Sequence, residues 1–249
     1  MASREEMSRS FGSAASVYES GRPEYPADAV EWLLEPARRE GHSLRVADVG
    51  AGTGKLTRAV VEAGAEVVAI DPDAAMLGVL RENVRRVPTF VGTAESLPLP
   101  DASVDAVVLG QAWHWVEPVP GSAEVARVLR PGGVLGLIWN VRDDEEPWVR
   151  RLTAVMHTSR AEETLAEGGP TVAEPFAGLE TRTWRWTRPM TRDALFDMAR
   201  SRSYLITAPP DERERIEAGL AELFDELGAV GEATVELPYV TRAYRAVRP

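Results

Sequence analysis

Residues 45–57, Arg-Val-Ala-Asp-Val-Gly-Ala-Gly-Thr-Gly-Lys-Leu-Thr, constrain this chain more than any other stretch. A short apolar run enters a glycine-rich turn and an amphipathic run follows, the strand–loop–helix found at the ligand edge of an α/β fold. Spacing then narrows the ligand. A dinucleotide fingerprint beginning at Gly50 requires glycine at position 55, where the chain has Lys55. A P-loop ending in Gly54-Lys55 requires glycine at 49 and serine or threonine at 56; the chain has Val49 and Leu56. What remains is D-x-G-x-G-x-G, running from Asp48 to Gly54. Its glycines let the backbone approach a ligand closely. Asp48 sets a carboxylate beside the turn, which repels a pyrophosphate but suits a cofactor bearing an ammonium and a sulfonium, S-adenosylmethionine.

The rest of the chain is patterned around this loop. Apolar runs at Leu44–Val49, Glu66–Ile70, Pro88–Val91, Val104–Leu109 and Val134–Trp139 read as strands. Helical periodicity occupies Thr53–Ala63, Asp73–Val84 and Gly121–Leu129 between them. Such alternation predicts a parallel sheet covered on both faces. Upstream, Val30, Leu33, Leu34 and Ala37 recur at helical spacing after Pro26. Beyond Asp143 the pattern predicts helices at Arg151–Glu167, Ala194–Leu205 and Asp211–Leu227, with strands at Leu179–Arg188 and Thr234–Val247. We expect one domain over 1–249: a helical cap in residues 1–40, a cofactor-binding core in 41–142, and a sheet-completing, pocket-roofing half in 143–249.

Composition removes several classes of function. The net charge of −11 disfavours a general nucleic-acid surface. With no cysteine, disulfides and thiolate metal sites are excluded, which fits a reducing, cytoplasmic setting. The polar start MASREEMSRS lacks a signal peptide's apolar run, and no stretch reaches the ~20 apolar residues that cross a bilayer, so no membrane partner is expected. Lys55 is the only lysine, which reads as compositional bias.

Five blocks in order carry a resemblance: the glycine loop; Ile70-Asp71-Pro72-Asp73-Ala74-Ala75-Met76-Leu77; Gly92-Thr93-Ala94-Glu95-Ser96-Leu97-Pro98; Val107-Val108-Leu109-Gly110-Gln111-Ala112-Trp113-His114-Trp115; and Val128-Leu129-Arg130-Pro131-Gly132-Gly133-Val134-Leu135. Together they resemble the class I S-adenosylmethionine-dependent methyltransferases, especially the small-molecule group called methyltransferase type 11, which includes trans-aconitate-methyltransferase-like proteins. The N-terminal Phe11…Tyr18-Glu19-Ser20-Gly21-Arg22-Pro23-Glu24-Tyr25-Pro26 is similar to that group's opening segment. The resemblance implies a Rossmann-like fold: a seven-stranded, mostly parallel sheet with helices on both faces, helical caps, and an antiparallel closing hairpin. It implies that Asp71, at the tip of the second strand, accepts the ribose hydroxyls, followed by Pro72. It also implies that Gly50 and Gly52 line the methionine portion with Asp48 near its amino group, and that Met76 packs on adenine or ribose. Thr93-Ala94-Glu95 corresponds to the adenine-edge contact, although an acid is usual where this chain has Thr93. Gln111, at the carboxyl end of the fourth strand, could bond the methionine end of the cofactor.

On the acceptor side the candidates are His114, Tyr18 and Arg22. His114 could serve as a base or orient the acceptor, and a histidine between two tryptophans could equally be packed. Arg22, or Arg200 with Tyr204, could clamp a carboxylate. Tyr18 and Tyr25 lie in the segment that folds over the cofactor in similar proteins. Trp113, Trp115 and Trp139 could line an apolar pocket. The expected reaction is methyl transfer to a small organic acceptor, at oxygen, nitrogen or carbon, with oligomeric state left open.

Other readings carry less. Gln111 and His114 after the fourth strand, with Asn140 and Asp143 after the fifth, make an incomplete set for a hard divalent ion, so no metal is expected. His42, His114 and His157 are too scattered for a zinc motif, and no serine-hydrolase elbow occurs. Asp143-Asp144-Glu145-Glu146 reads as a solvated acidic turn. Arg182–Arg188, with Trp184 and Trp186 interleaved, could face nucleic acid, yet alternation puts both tryptophans on one strand face, as helix packing requires. A cofactor-binding module without transfer activity would be separated from an enzyme of this class by S-adenosylhomocysteine production, and a dehydrogenase by thermal stabilisation with NAD rather than with S-adenosylhomocysteine.

Overall fold

A computed structural model describes residues 21–156, 158–200, 205 and 208–249; Tyr18, His157 and Tyr204 lie outside the described residues. After Pro26, α1 (Ala27–Leu34) is the first of the described elements, with Ala29, Val30, Leu33 and Leu34 all buried. Then come β1 (Arg45–Val49), α2 (Lys55–Glu62), β2 (Glu66–Asp71), α3 (Ala74–Asn83), β3 (Thr89–Val91), β4 (Val104–Gly110), α4 (Pro118–Val128) and β5 (Leu129–Arg142). The second half adds α5 (Pro147–Met156), α6 (Arg160–Ala166), β6 (Glu180–Thr191), α7 (Arg192–Arg200), α8 (Pro210–Glu226) and β7 (Thr234–Val247).

Seven strands form one sheet in the order β3-β2-β1-β4-β5-β7-β6. Strands β1 to β5 pair in parallel, while β7 lies between β5 and β6 and runs antiparallel to both. This is the fold the five blocks imply, except that the closing pair is no tight hairpin: α7 and α8 separate β6 from β7. Alternation assigns the core. Ala47, Val49, Val107, Leu109, Leu137 and Trp139 pack on one face; Val46, Ala106, Val108, Val134 and Ile138 pack on the other, beneath α1 and α2. Because β4 lies between β1 and β5 and is covered on both sides, its whole apolar run is buried.

Two expectations change. The helix expected over Arg151–Glu167 is two, because Ser159 starts α6 with a capping box to Glu162. Its oxygen accepts the Glu162 N–H while the Glu162 carboxylate takes the Ser159 N–H. The acidic turn after β5 is not solvated at its first residue. Asp143 is buried and paired with Arg185 of β6, which also reaches Glu145 at 2.7 Å. Trp184 and Trp186 share a face, as alternation requires. Trp184 packs edge-on against Trp32 of α1 and Trp186 stacks on Tyr239 at 5.1 Å, so the arginine–tryptophan run serves packing. No helix among the described residues is long and apolar enough to cross a membrane.

Candidate active site

The glycine turn follows β1. The Gly50 and Ala51 N–H groups both donate to the Ile70 carbonyl, which ties the turn to β2. Gly50, Gly52 and Gly54 take φ of +69°, +54° and +94°, values that side chains disfavour. Their surroundings differ. A Cβ on Gly50 would lie 2.6 Å from the Ala112 Cβ, and one on Gly54 would lie 2.9 Å from Leu80 Cγ. Gly52 meets nothing within 4 Å, so its open side belongs to the site.

Two acids sit beside the turn in different settings. Asp71 ends β2 and spans the loop: Oδ2 accepts the Gly52 N–H at 2.9 Å and Oδ1 accepts the Asp73 N–H at 2.8 Å. Burial pushes its carboxyl up to about 6, with the two backbone donors opposing. Helix α3 is capped by Asp73, whose side chain takes the Ala75 N–H, so Asp71 is spared that duty. Asp48 is fully buried under the turn. Its Oδ2 accepts a 2.6 Å bond from the Thr57 hydroxyl, and Oδ1 has no partner among the described residues. Burial raises its carboxyl to about 7, the Thr57 bond opposing.

Of the remaining cofactor candidates, Pro72 is half-buried directly after Asp71 and Met76 is buried on α3. Thr93 closes a turn with Ser96 through reciprocal backbone bonds, and Ala94 is buried within it. The Glu95 carboxylate accepts the Glu117 N–H where α4 begins, so that side chain holds a helix end. Gln111 carries φ of +56°, and its Nε2 donates to the Asn140 carbonyl at 2.7 Å, joining the β4 loop to β5.

Over the turn lies residues 21–25. The Asn140 amide donates to the Glu24 carbonyl at 3.0 Å, and Arg188 donates to the Gly21 carbonyl at 3.3 Å. The Glu24 carboxylate meets Lys55 Nζ at 2.7 Å and Arg58 at 3.2 Å. The Tyr25 hydroxyl lies 2.6 Å from where a Gly110 Cβ would stand. Between this strap and the turn is a cavity that brings together Arg22, Gly50, Gly52 and Gln111 from the expected set. It adds Lys55, Thr53 and Asn140, which the sequence reading passed over or weighed only as a metal ligand. Asn140 was legible as the residue that follows the fifth expected strand, beside the loop after β4. Lys55 gave no signal, because its partner Glu24 is 31 positions away.

His114 is not part of that cavity's wall. It sits in a 3-10 turn, Trp113–Trp115, past the carboxyl end of β4. Its Nδ1 accepts the indole N–H of fully buried Trp139 at 3.2 Å, and its ring lies 4.9 Å from that of Trp115. Trp113 is core, its indole donating to the Thr171 carbonyl at 2.8 Å. Arg200 of α7 bonds Glu217 of α8 at 2.8 Å, while Tyr204, its candidate partner in a clamp, lies outside the described residues.

The residues present fit S-adenosylmethionine. Open space flanks Gly52, Arg22 and Lys55 bring cations to the cavity, and two buried oxygens, Asp48 Oδ1 and Thr53 Oγ1, have no partner among the described residues. Known proteins agree. A family model described as "Methyltransferase domain" matches residues 47–137. An uncharacterized methyltransferase of Mycobacterium tuberculosis is 46% identical over 250 residues, covering 98% of each chain. A malonyl-[acyl-carrier protein] O-methyltransferase of Pectobacterium atrosepticum is 32% identical over 163 residues, covering 63% of each. The solved structure of a protein described as a type II methyltransferase, from Anaeromyxobacter dehalogenans, superposes with a TM-score of 0.68 at 27% identity, covering 91% of this chain and 97% of that one. On this sheet, this glycine turn and these relatives, the chain belongs to the S-adenosylmethionine-dependent methyltransferase family.

Proposed function

We propose that the chain transfers a methyl group from S-adenosylmethionine to a small organic acceptor, and that the cavity under the 21–25 strap takes the donor. The observation carrying this reading is the Asp71–Gly52 bond. It sets an acceptor-rich carboxylate at the tip of β2 against the one turn glycine that faces open space. Bound there, the donor supplies a methyl on a positively charged sulfur, already activated for displacement. The chain's part is to hold, orient and keep dry. Asp71 has lone pairs left over from its two backbone bonds for ribose hydroxyls. The turn N–H groups and Arg22 suit the methionine carboxylate. Asp48, beneath the turn with its carboxyl raised to about 7, favours a cation above it in its ionised form. Gln111, held by Asn140, spans the strand ends where donor and acceptor would meet.

The test is calorimetry with S-adenosylhomocysteine. Replacing Asp71 with alanine should weaken binding by about 10–100-fold, the loss expected for hydrogen bonds to a charged group, while the fold persists. Undiminished affinity in Asp71→Ala would remove the ribose role. Labelled donor incubated with acceptor pools should then give S-adenosylhomocysteine above background.

A further inference from the structure

We infer that Thr241 and Trp186 are positioning residues of the donor site: they hold the Asn140 amide in the one orientation that fastens the 21–25 strap. This rests on the reading of the cavity under that strap as the donor's. The sheet register is the starting point. Asn140 of β5 pairs with Thr241 of β7, which in turn pairs with Trp184 of β6. Side chains of paired residues share a sheet face, and Trp186, two positions along β6, shares it too. The same face carries α1, whose Trp32 meets the Trp184 ring. A row of side chains therefore crosses three strands towards the segment that leads into α1.

Three bonds join that row, and both ends fix their direction. The Trp186 indole N–H, which only donates, reaches Thr241 Oγ1 at 2.9 Å. The Thr241 hydroxyl donates to Asn140 Oδ1 at 2.6 Å, within the usual O–H···O range. Asn140 Nδ2 donates to the Glu24 carbonyl at 3.0 Å, a group that only accepts. Indole, hydroxyl, amide and strap carbonyl thus form one polarised chain. Turning the amide over would set Oδ1 against the Glu24 carbonyl oxygen and aim Nδ2 at a hydroxyl that already receives the indole proton. Thr241 is 0% exposed and Asn140 5%, so water is poorly placed to take over either bond. The Asn140 backbone carbonyl meanwhile accepts from Gln111 Nε2 at 2.7 Å, and both residues line the cavity. One residue therefore ties the strap through its side chain and a cavity wall through its backbone, and Thr241 and Trp186 act through it.

The test is the dissociation rate of S-adenosylhomocysteine, followed by stopped-flow displacement beside the thermal midpoint of each variant. Thr241→Val keeps the volume and removes the hydroxyl. It should raise the rate about fivefold, the scale of one neutral hydrogen bond. Thr241→Ser, which keeps the hydroxyl, should leave the rate at the wild-type value. Asn140→Ala should raise the rate at least as much as Thr241→Val does. Adding Thr241→Val to Asn140→Ala should raise it no further, because the threonine acts through the amide; a purely structural role would make the two effects add. Trp186→Phe keeps a ring on Tyr239 and removes the donor. It should give a smaller rise, and it takes the place of Thr241→Val if that variant fails to fold. Rates that stay at the wild-type value while midpoints fall, or effects of Thr241→Val and Asn140→Ala that add, overturn the inference and leave the donor-site reading intact. A folded wild type that does not bind S-adenosylhomocysteine overturns the donor-site reading, and the inference with it.

Discussion

Gly50 and Gly52 sit two positions apart, both in left-handed backbone, yet substitution should affect them differently. In Gly50→Ala the new methyl carries a left-handed penalty of ~1–2 kcal/mol and also overlaps Ala112, whose Cβ would be 2.6 Å away. A combined loss of roughly 2–4 kcal/mol follows once an overpacking cost is added, visible as a lower thermal midpoint. Pairing it with Ala112→Gly should restore the overlap share and leave the backbone share. If the pair melts no higher than Gly50→Ala alone, the contact is not the cause. Asp71 shows the same economy of position, since one side chain pins the turn, steadies the start of α3 and keeps lone pairs for ligand.

At the scale of elements, the 21–25 strap is fastened by a carboxylate and two backbone carbonyls, and these fastenings are unequal. Lys55 is 12% exposed and Glu24 about half, so their ion pair is a modest latch. Glu24→Gln should raise the dissociation rate of S-adenosylhomocysteine by ~2–5-fold, matching the fraction of a kcal/mol typical of such pairs. Stopped-flow displacement measures it, and an unaltered rate would mean that the Asn140 and Arg188 bonds suffice. The strap also marks the limit of what could be read from the chain. Local pattern sufficed for the glycine turn, Asp71 and the strands β1 to β5, because each is specified by neighbours in sequence. The β5 boundary, the break before α6 and the Lys55–Glu24 pair were not legible. The first extends with β7 to Arg142, the second depends on a capping side chain, and the third joins distant segments. His114 was legible as a candidate, but its bond to Trp139 was not, since that residue is 25 positions away.

For the whole molecule, two carboxyls buried side by side link stability to pH. Asp48 and Asp71 titrate near 7 and 6 when folded, against an ordinary value of 3.8, chiefly because of burial. A raised carboxyl favours the folded state in its protonated form. The stabilisation is complete below pH 3.8 and is lost as pH rises through 6 and 7. Ligand-free Asp48→Asn, which keeps an oxygen for Thr57 and cannot ionise, should therefore gain on the wild type between pH 5 and 8. The gap in thermal midpoint should widen by ~2–4 °C for each kcal/mol in a chain of this size. A gap that stays constant across that range would show that Asp48 does not titrate there. S-adenosylmethionine, as a cation, should stabilise the wild type more at pH 8 than at pH 5.

The sheet order also governs how a nascent chain must behave. Strand β7 is made after β6 yet lies between β6 and β5, contributing Thr241 to a bond with Asn140 at 2.6 Å. Until residue 234 and those after it have left the ribosome, β5 has one bare edge and β6 has no partner at all. During that interval the growing polypeptide presents two unpaired ladders, each open to a stray strand. Synthesis speed and chaperone cover while the segment between β6 and β7 is being made therefore bear on yield.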